Sequence, residues 1–238
     1  MSNKSTSLIQ RKKDMKKAAN KLIESGVLII DPNRTDIRGQ LTCGKNVEID
    51  INVIFEGHVK IGDNVTIGAN CIIIDTIIGN NSHIKPFSLV EGATIGNNTF
   101  VGPYGRIRYG SEIADDVQIG NFVEIKNSVV KNKVRINHLS FIGDSHIYEE
   151  VTIGAGTITC NHDGLNTNKT TIKKGAYIGS GCNLVAPIEI GENSTVGAGS
   201  TIVKNVPEDT LIIARSRQKI IENWKKDIIK QKKSKGFK

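Results

Sequence analysis

Aromatic residues are scarce: Phe, Tyr and Trp together make up 5% of the 238 residues, and Trp occurs once. A thick core built on large rings is thereby excluded, and any core must be thin and aliphatic. No apolar run approaches the ~18–20 residues that a membrane-spanning helix needs. The opening MSNKSTSLIQRKKDMKKAANKL lacks the apolar stretch and small-residue cleavage site of a secretory signal. The four cysteines, Cys43, Cys71, Cys160 and Cys182, show no paired spacing. That argues against a disulfide framework and a zinc site, and suits a reducing cytoplasm. A basic stripe interleaved with aromatics, the mark of nucleic-acid binding, is also missing from the body of the chain. The net charge of +8 lies at the ends. Residues 1–29 carry seven Lys/Arg against two acids and residues 214–238 carry ten against two, while residues 30–213 hold fifteen basic and twenty acidic residues. The basic ends read either as solvated tails or as arms that approach an anionic substrate.

What is abundant is a period of six. In Ile61–Ile73, IGDNVTIGANCII, an aliphatic residue recurs at Ile61, Ile67 and Ile73, and Gly follows two of them at Gly62 and Gly68. The register extends back to Phe55 and Ile49 and forward to Ile202, with triplets starting at 61, 78, 95, 113, 130 and 147, steps of 17 or 18 residues. Three hexads make one three-sided coil, and stacked coils make a prism with one inward aliphatic per face. The predicted fold is all-β: a left-handed parallel β-helix with short helical arms. Gly, and Asn in runs such as Gly79–Asn81 and Gly96–Asn98, are expected at corners that a Cβ disfavours.

The expected organisation is a basic helix and lead-in over 1–39, the β-helix over 40–206 and a basic arm over 207–238. The helix is placed at residues 8–25 with Gly26 as its C-terminal cap. A second short helix is expected around Ile220–Ile229, with Trp224 on its apolar side. The repeat is interrupted once, at CNHDGLNTNKTT, residues 160–171. Solenoids carry such insertions on one face, often the binding face. The insertion is expected to overhang His138. Arg106 and Arg108 flank the inward Ile107, Lys126 follows Ile125, and His138 comes two residues after Ile136. Arg108, Lys126 and His138 are expected to share one outer edge of consecutive coils. Such a group is either a surface coincidence or an anion site with a histidine suited to proton transfer.

The strings RGQLTCGKNVEID, VGPYGRIRYG, GNFVEIK, NHLSFIGD, IGAGTITCNHDG and GSGCNLVAPI are similar to the acetyltransferase half of the bacterial bifunctional N-acetylglucosamine-1-phosphate uridyltransferase/glucosamine-1-phosphate acetyltransferases, over roughly Leu22–Trp224. The resemblance implies acetyl transfer from acetyl-CoA to glucosamine 1-phosphate or a close amino-sugar phosphate, in a cytoplasmic homotrimer and without a metal. It implies His138 as the catalytic base, and Arg108, Lys126, Phe141 and Thr152 as acceptor contacts. Ala155, Asn161, His162, Ser180, Ala198 and Arg215 fall where the family meets acetyl-CoA, with the Ala155 amide as oxyanion donor. The nucleotidyltransferase half has no counterpart in the sequence, so uridylyl transfer is expected to belong, if anywhere, to a separate chain. No nucleic-acid or membrane partner is expected.

Four positions depart from the family pattern. Phe141 and His162 each stand in place of a Tyr, Thr152 in place of an Asn and Thr167 in place of a Lys, with Lys169 nearby. Sugar recognition is where these changes bear. Three alternatives therefore stand beside the leading reading: another amine acceptor such as a nucleotide-linked amino sugar or an amino acid, a non-catalytic scaffold, or a metal enzyme of the γ-carbonic-anhydrase kind. The last needs converging histidines, which His58, His83, His138, His146 and His162 do not offer by spacing.

Overall fold

The computed structural model describes residues 3–222. A helix, Asn3–Glu24, stops at Gly26, whose φ of +97° places it in the left-handed region, as a helix-ending glycine does. Ala19 and Val27 are buried at the foot of the prism. No described helix is long and apolar enough to cross a membrane.

The remainder is a left-handed parallel β-helix of about 10 turns. Its first face is an 11-stranded parallel sheet, from Leu28–Ile29 to Leu211–Ile212. In register on it lie Ile49, Ile67, Ile84, Val101, Ile119, Ile136, Ile153, Ile178 and Val196. The second face stacks Phe55, Ile73, Val90, Ile107, Ile125 and Ile142. The third stacks Ile61, Ile78, Ile95, Ile113, Val130, Ile147, Ile172 and Ile190. The inward aliphatics are buried, and full burial of each stabilises by roughly 1.5–3 kcal/mol. On the second face the stack changes character once. Buried Thr159 pairs with Leu184, and its hydroxyl accepts a hydrogen bond from the Gly143 amide at 2.7 Å.

A second inward position lies two residues before each aliphatic. Val fills it in many coils, as at Val47, Val65, Val117 and Val134, and smaller residues elsewhere: Cys71, Thr76, Ser82, Ser88, Ser111 and Ser128 are all buried there. The hydroxyls tie corners together. Ser82 donates to the Gly96 carbonyl at 2.7 Å and accepts from the Thr99 amide at 3.0 Å. Cys71 belongs to this set, and burial pushes its thiol up to about 11. It is a packing residue with little thiolate character.

The corners bear out the expectation for glycine only in part: Gly57, Gly92, Gly110 and Gly175 are left-handed. Gly62 and Gly79 are not in the left-handed region; Asn64, Asn81 and Asn98 are, at φ of 56°, 57° and 52°. The glycines answer to a different demand. A Cβ on Gly79 would sit 2.7 Å from the Gly96 carbonyl carbon. Coils about 4.8 Å apart leave no room there. Asn instead supplies the left-handed residue and a ladder of amide-to-amide bonds, Asn46 to Asn64 at 3.0 Å and Asn64 to Asn81 at 2.9 Å.

After Leu211–Ile212 the chain shows no regular structure through Ile221, so Ile220 and Ile221 are not helical. The rest of the helix expected there, with Trp224, lies outside the described residues.

Replacing Ile125, fully buried, by Ala is expected to lower unfolding free energy by roughly 2–5 kcal/mol in urea titration. Gly79→Ala is expected to destabilise as well, although Ala is the larger and more helix- and strand-tolerant residue. Ile77→Ala, on the half-exposed outer surface, should change little.

Candidate active site

The corner between the first and second faces has a distinctive column of left-handed residues. It runs Phe87, Tyr104, Phe122, Leu139, then Gly156, Gly181, Gly199, all with φ between 52° and 72°. Bulky side chains rarely adopt this conformation. Here they stack: the rings of Phe87 and Tyr104 are 5.0 Å apart and those of Tyr104 and Phe122 are 5.1 Å apart. All three rings and Leu139 are exposed. Above Leu139 the column becomes bare.

His138 sits at that change. It ends the strand Arg135–His138 and pairs with Asn121 one coil below. Its Nδ1 lies 2.6 Å from the Asn121 Oδ1. The ring is exposed and lines a hollow of about 460 Å³ together with Lys85, Tyr104, Asn121, Phe122 and Asn137. Gly102 and Gly120 floor the hollow.

The bare part of the corner is formed by Ala155–Gly156, Ser180–Gly181 and Ala198–Gly199. The Gly156 amide donates to the His138 carbonyl at 3.2 Å, Gly181 to Ala155 at 2.7 Å and Gly199 to Ser180 at 2.8 Å. The amides of Ala155, Ser180 and Ala198 themselves meet no acceptor among the described residues. At the corner between the third and first faces, the equivalent amides of the lower coils are satisfied by side chains, while those of Glu149, Lys174 and Glu192, level with the track, likewise meet no acceptor among the described residues. Asp63 N donates to Asn80 and Asn80 N to Asn97, at 2.7 and 2.8 Å. Removing those side chains leaves a smooth track edged by donors. Arg215 closes its upper end, with Cδ 4.0 Å from where a Cβ of Gly199 would stand.

The cations lie elsewhere. Arg108 and Lys126 follow Ile107 and Ile125, at the far end of the second face from His138. The expectation of one shared edge is therefore corrected. Lys126 and His138 are 12 residues apart, which is two thirds of a coil and carries the chain to a different corner. Neither cation is free. Arg108 Nη1 donates to Glu124 Oε1 at 2.8 Å, and Lys126 Nζ is 3.9 Å from Asp144 Oδ2. Phe141 lies between the two ends of this face, its ring 2.8 Å from where a Cβ of Gly143 would be. Thr152 faces outward on the first face, between Arg135 and Tyr177.

The insertion also rises from the far corner and does not overhang His138 of its own chain. Asn161 Nδ2 donates to Asp144 Oδ2 at 2.5 Å, and His162 bridges to Thr167. Asp163 organises the tip, accepting from the amides of Leu165 at 2.9 Å and Asn166 at 2.7 Å and from Asn168 Nδ2 at 3.0 Å. These donors hold its carboxyl at about 2. One chain thus carries two separate groups: His138 with the bare track, and the paired cations with the loop. Sequence reasoning missed Asn121 and Glu124. Asn121 stands one coil length, 17 residues, before His138, a spacing that points to it once the coil is known.

Family comparisons agree with this architecture. The family described as GMPPB C-terminal domain matches residues 37–121, and bacterial transferase hexapeptide (six repeats) matches residues 169–204. The bifunctional protein GlmU of Nitrosospira multiformis is 50% identical over 214 residues, 90% of this chain and 46% of that protein. GlmU of Ralstonia nicotianae is 49% identical over 215 residues, 90% and 47% respectively. The chain spans about half the length of the curated relatives it matches. Among solved structures, a UDP-N-acetylglucosamine acyltransferase from Campylobacter jejuni is 20% identical with a TM-score of 0.48, covering 85% of this chain and 81% of that one.

The depressed Asp163 carboxyl makes the loop tip acid-sensitive. The contribution of these bonds is present above the ordinary aspartate value and fades as pH falls through about 2. A carbon-detected NMR titration should place the Asp163 midpoint near 2. Asp163→Ala should speed exchange of the Leu165 and Asn166 amides at neutral pH without altering that of the coils.

Proposed function

The chain belongs with the bifunctional GlmU proteins over about half of their length, and from that premise we propose that it carries acetyl transfer from acetyl-CoA to an amino-sugar phosphate, glucosamine 1-phosphate or a close relative. The observation that carries the reading is His138 standing where a track of glycines and small residues begins, with the amides of Ala155, Ser180 and Ala198 unpaired along it. An extended cofactor arm with its own amide carbonyls is the kind of ligand such donors suit. Ala155, Ser180, Ala198 and Arg215 line this track.

The acceptor amine attacks the thioester carbonyl only in its neutral form, so its proton must leave, and His138 takes it. The Ala155 amide is the donor for the oxyanion that forms; a fixed donor of this kind is worth several kcal/mol in the transition state. Collapse of the tetrahedral intermediate expels the thiolate of CoA, which recovers the proton from His138. Atoms and charge balance without a metal.

The acceptor's phosphate is assigned to Arg108 and Lys126, with Phe141 against the sugar. Arginine's planar fork suits phosphate, which must displace Glu124 as its partner. Asn161 and His162 complete the cofactor site from the loop, and Thr152 contributes from the first face. These half-sites lie at different corners of one prism, so we assign their union to a homotrimer in which the loop corner of one copy faces the His138 corner of the next. Phe141 and Thr152 lack the hydroxyl and amide that their counterparts in the family supply, which favours an acceptor held more by charge than by sugar hydrogen bonds. A different amine acceptor is the second reading, and the same two residues favour it.

His138→Ala is expected to lower acetyl transfer to glucosamine 1-phosphate, followed by release of CoA thiol, by about 10²–10⁴-fold; a loss under about tenfold would contradict the assignment. Arg108→Ala should raise KM for the phosphorylated acceptor much more than KM for acetyl-CoA. Equal effects on both would remove Arg108 from the acceptor site. A wild-type protein that acetylates another amine in preference would establish the second reading.

A further inference from the structure

Resting on the acyl-transfer reading above, we propose that Asn121 is a positioning residue that holds His138 as its Nδ1–H tautomer and so makes Nε2 the atom that accepts the acceptor's proton. The argument is geometric. Parallel pairing sets Asn121 and His138 side by side in consecutive coils. The Asn121 Oδ1 lies 2.6 Å from the His138 Nδ1. An amide oxygen only accepts, so the ring nitrogen facing it must carry the hydrogen. The lone pair of the neutral ring is then confined to Nε2, on the opposite side of the imidazole. An unrestrained histidine favours the other tautomer, with the hydrogen on Nε2, which would turn the base into a donor. Orienting a histidine through the nitrogen it does not use is a general device.

The surroundings are built for this contact. A Cβ on Gly120 would lie 2.6 Å from the Asn137 carbonyl carbon and 2.8 Å from its Cα. Glycine there lets the two strands close up beside the pair. The Asn121 carbonyl also accepts from the Leu139 amide at 3.0 Å, fixing the corner that follows His138. One residue thus restrains both the ring and its backbone.

The choice of an amide over a carboxylate matters. Asn121 orients the ring without adding negative charge, so it does not hold the imidazolium once the proton has moved. The charged and titratable groups around the ring are few. Lys85 and the Tyr104 phenol share its hollow, Arg135 lies on its own strand, and Glu124, three residues past Asn121 on the second face, is taken by Arg108. A proton gained from the amine can therefore pass on to the departing thiolate.

Nitrogen-15 imidazole NMR on the intact protein tests the tautomer directly, with the His138 signal identified by its loss in His138→Gln. The expected wild-type spectrum at a pH where the ring is neutral shows the hydrogen on Nδ1. Asn121→Leu should return it to Nε2. In the thiol-release assay, Asn121→Leu should lower kcat by about tenfold or more, short of the loss from His138→Ala, with both KM values little changed. Asn121→Asp keeps an acceptor and should restore most of kcat. Its carboxylate favours the charged ring, so the acid limb of kcat/KM should move to higher pH. A wild-type ring protonated on Nε2 would overturn the proposal, as would an Asn121→Leu enzyme with unchanged kcat or an Asp variant with an unmoved acid limb. A wild-type protein with the Nδ1–H tautomer but no acetyl transfer to any amine would instead overturn the functional reading and leave the tautomer assignment standing.

Discussion

Coils stacked about 4.8 Å apart impose a condition on every residue of this protein: whatever stands at a position must tolerate its own equivalent directly above and below. The condition explains the aliphatic columns, where Ile on Ile buries surface that no single coil could hide. It explains the glycines that follow them, because a Cβ on Gly79 would strike the backbone of the next coil. It also explains why polar corners become ladders, as in Asn46, Asn64 and Asn81. The same condition makes an interruption informative. Where a column changes residue type, something other than stacking is being served.

The corner beside His138 is the clearest such change. Below it, Phe87, Tyr104 and Phe122 stack in a conformation that bulky residues avoid. Above it, three glycines and three small residues leave amides without acceptors. A ladder of Asn and Asp side chains meets the same need in the lower coils at another corner. What sets the track apart is its run of glycines and small residues, since the amides of Glu149, Lys174 and Glu192 also lack acceptors among the described residues.

Much of this was legible in the sequence, because a six-residue period survives any choice of surface residues. The inward column from Ile49 to Ile202 and the insertion at 160–171 follow from counting alone. The corners were harder. Gly and Asn both suggest a left-handed turn, and only contacts between coils separate Gly79, which avoids a clash, from Asn81, which adopts the turn. The small inward Ser and Thr residues share their position with Val, Ala and Cys and carry no hydrophobic signal of their own. His138 was singled out by type and neighbourhood; its grouping with Arg108 and Lys126 failed because 12 residues is not a whole coil. Asn121 escaped notice because an asparagine in a repeat full of asparagines looks like filler until its partner one coil away is known.

Thr159 is the one hydroxyl in the aliphatic column of the second face, in the coil from which the loop departs. Solenoid layers are held only by their immediate neighbours. Here the layers are also joined by a directed bond, because the Thr159 hydroxyl accepts from the Gly143 amide of the coil below. The insertion therefore leaves the stack from a layer pinned by a polar rivet as well as by packing, which keeps the coils on either side of the interruption in step.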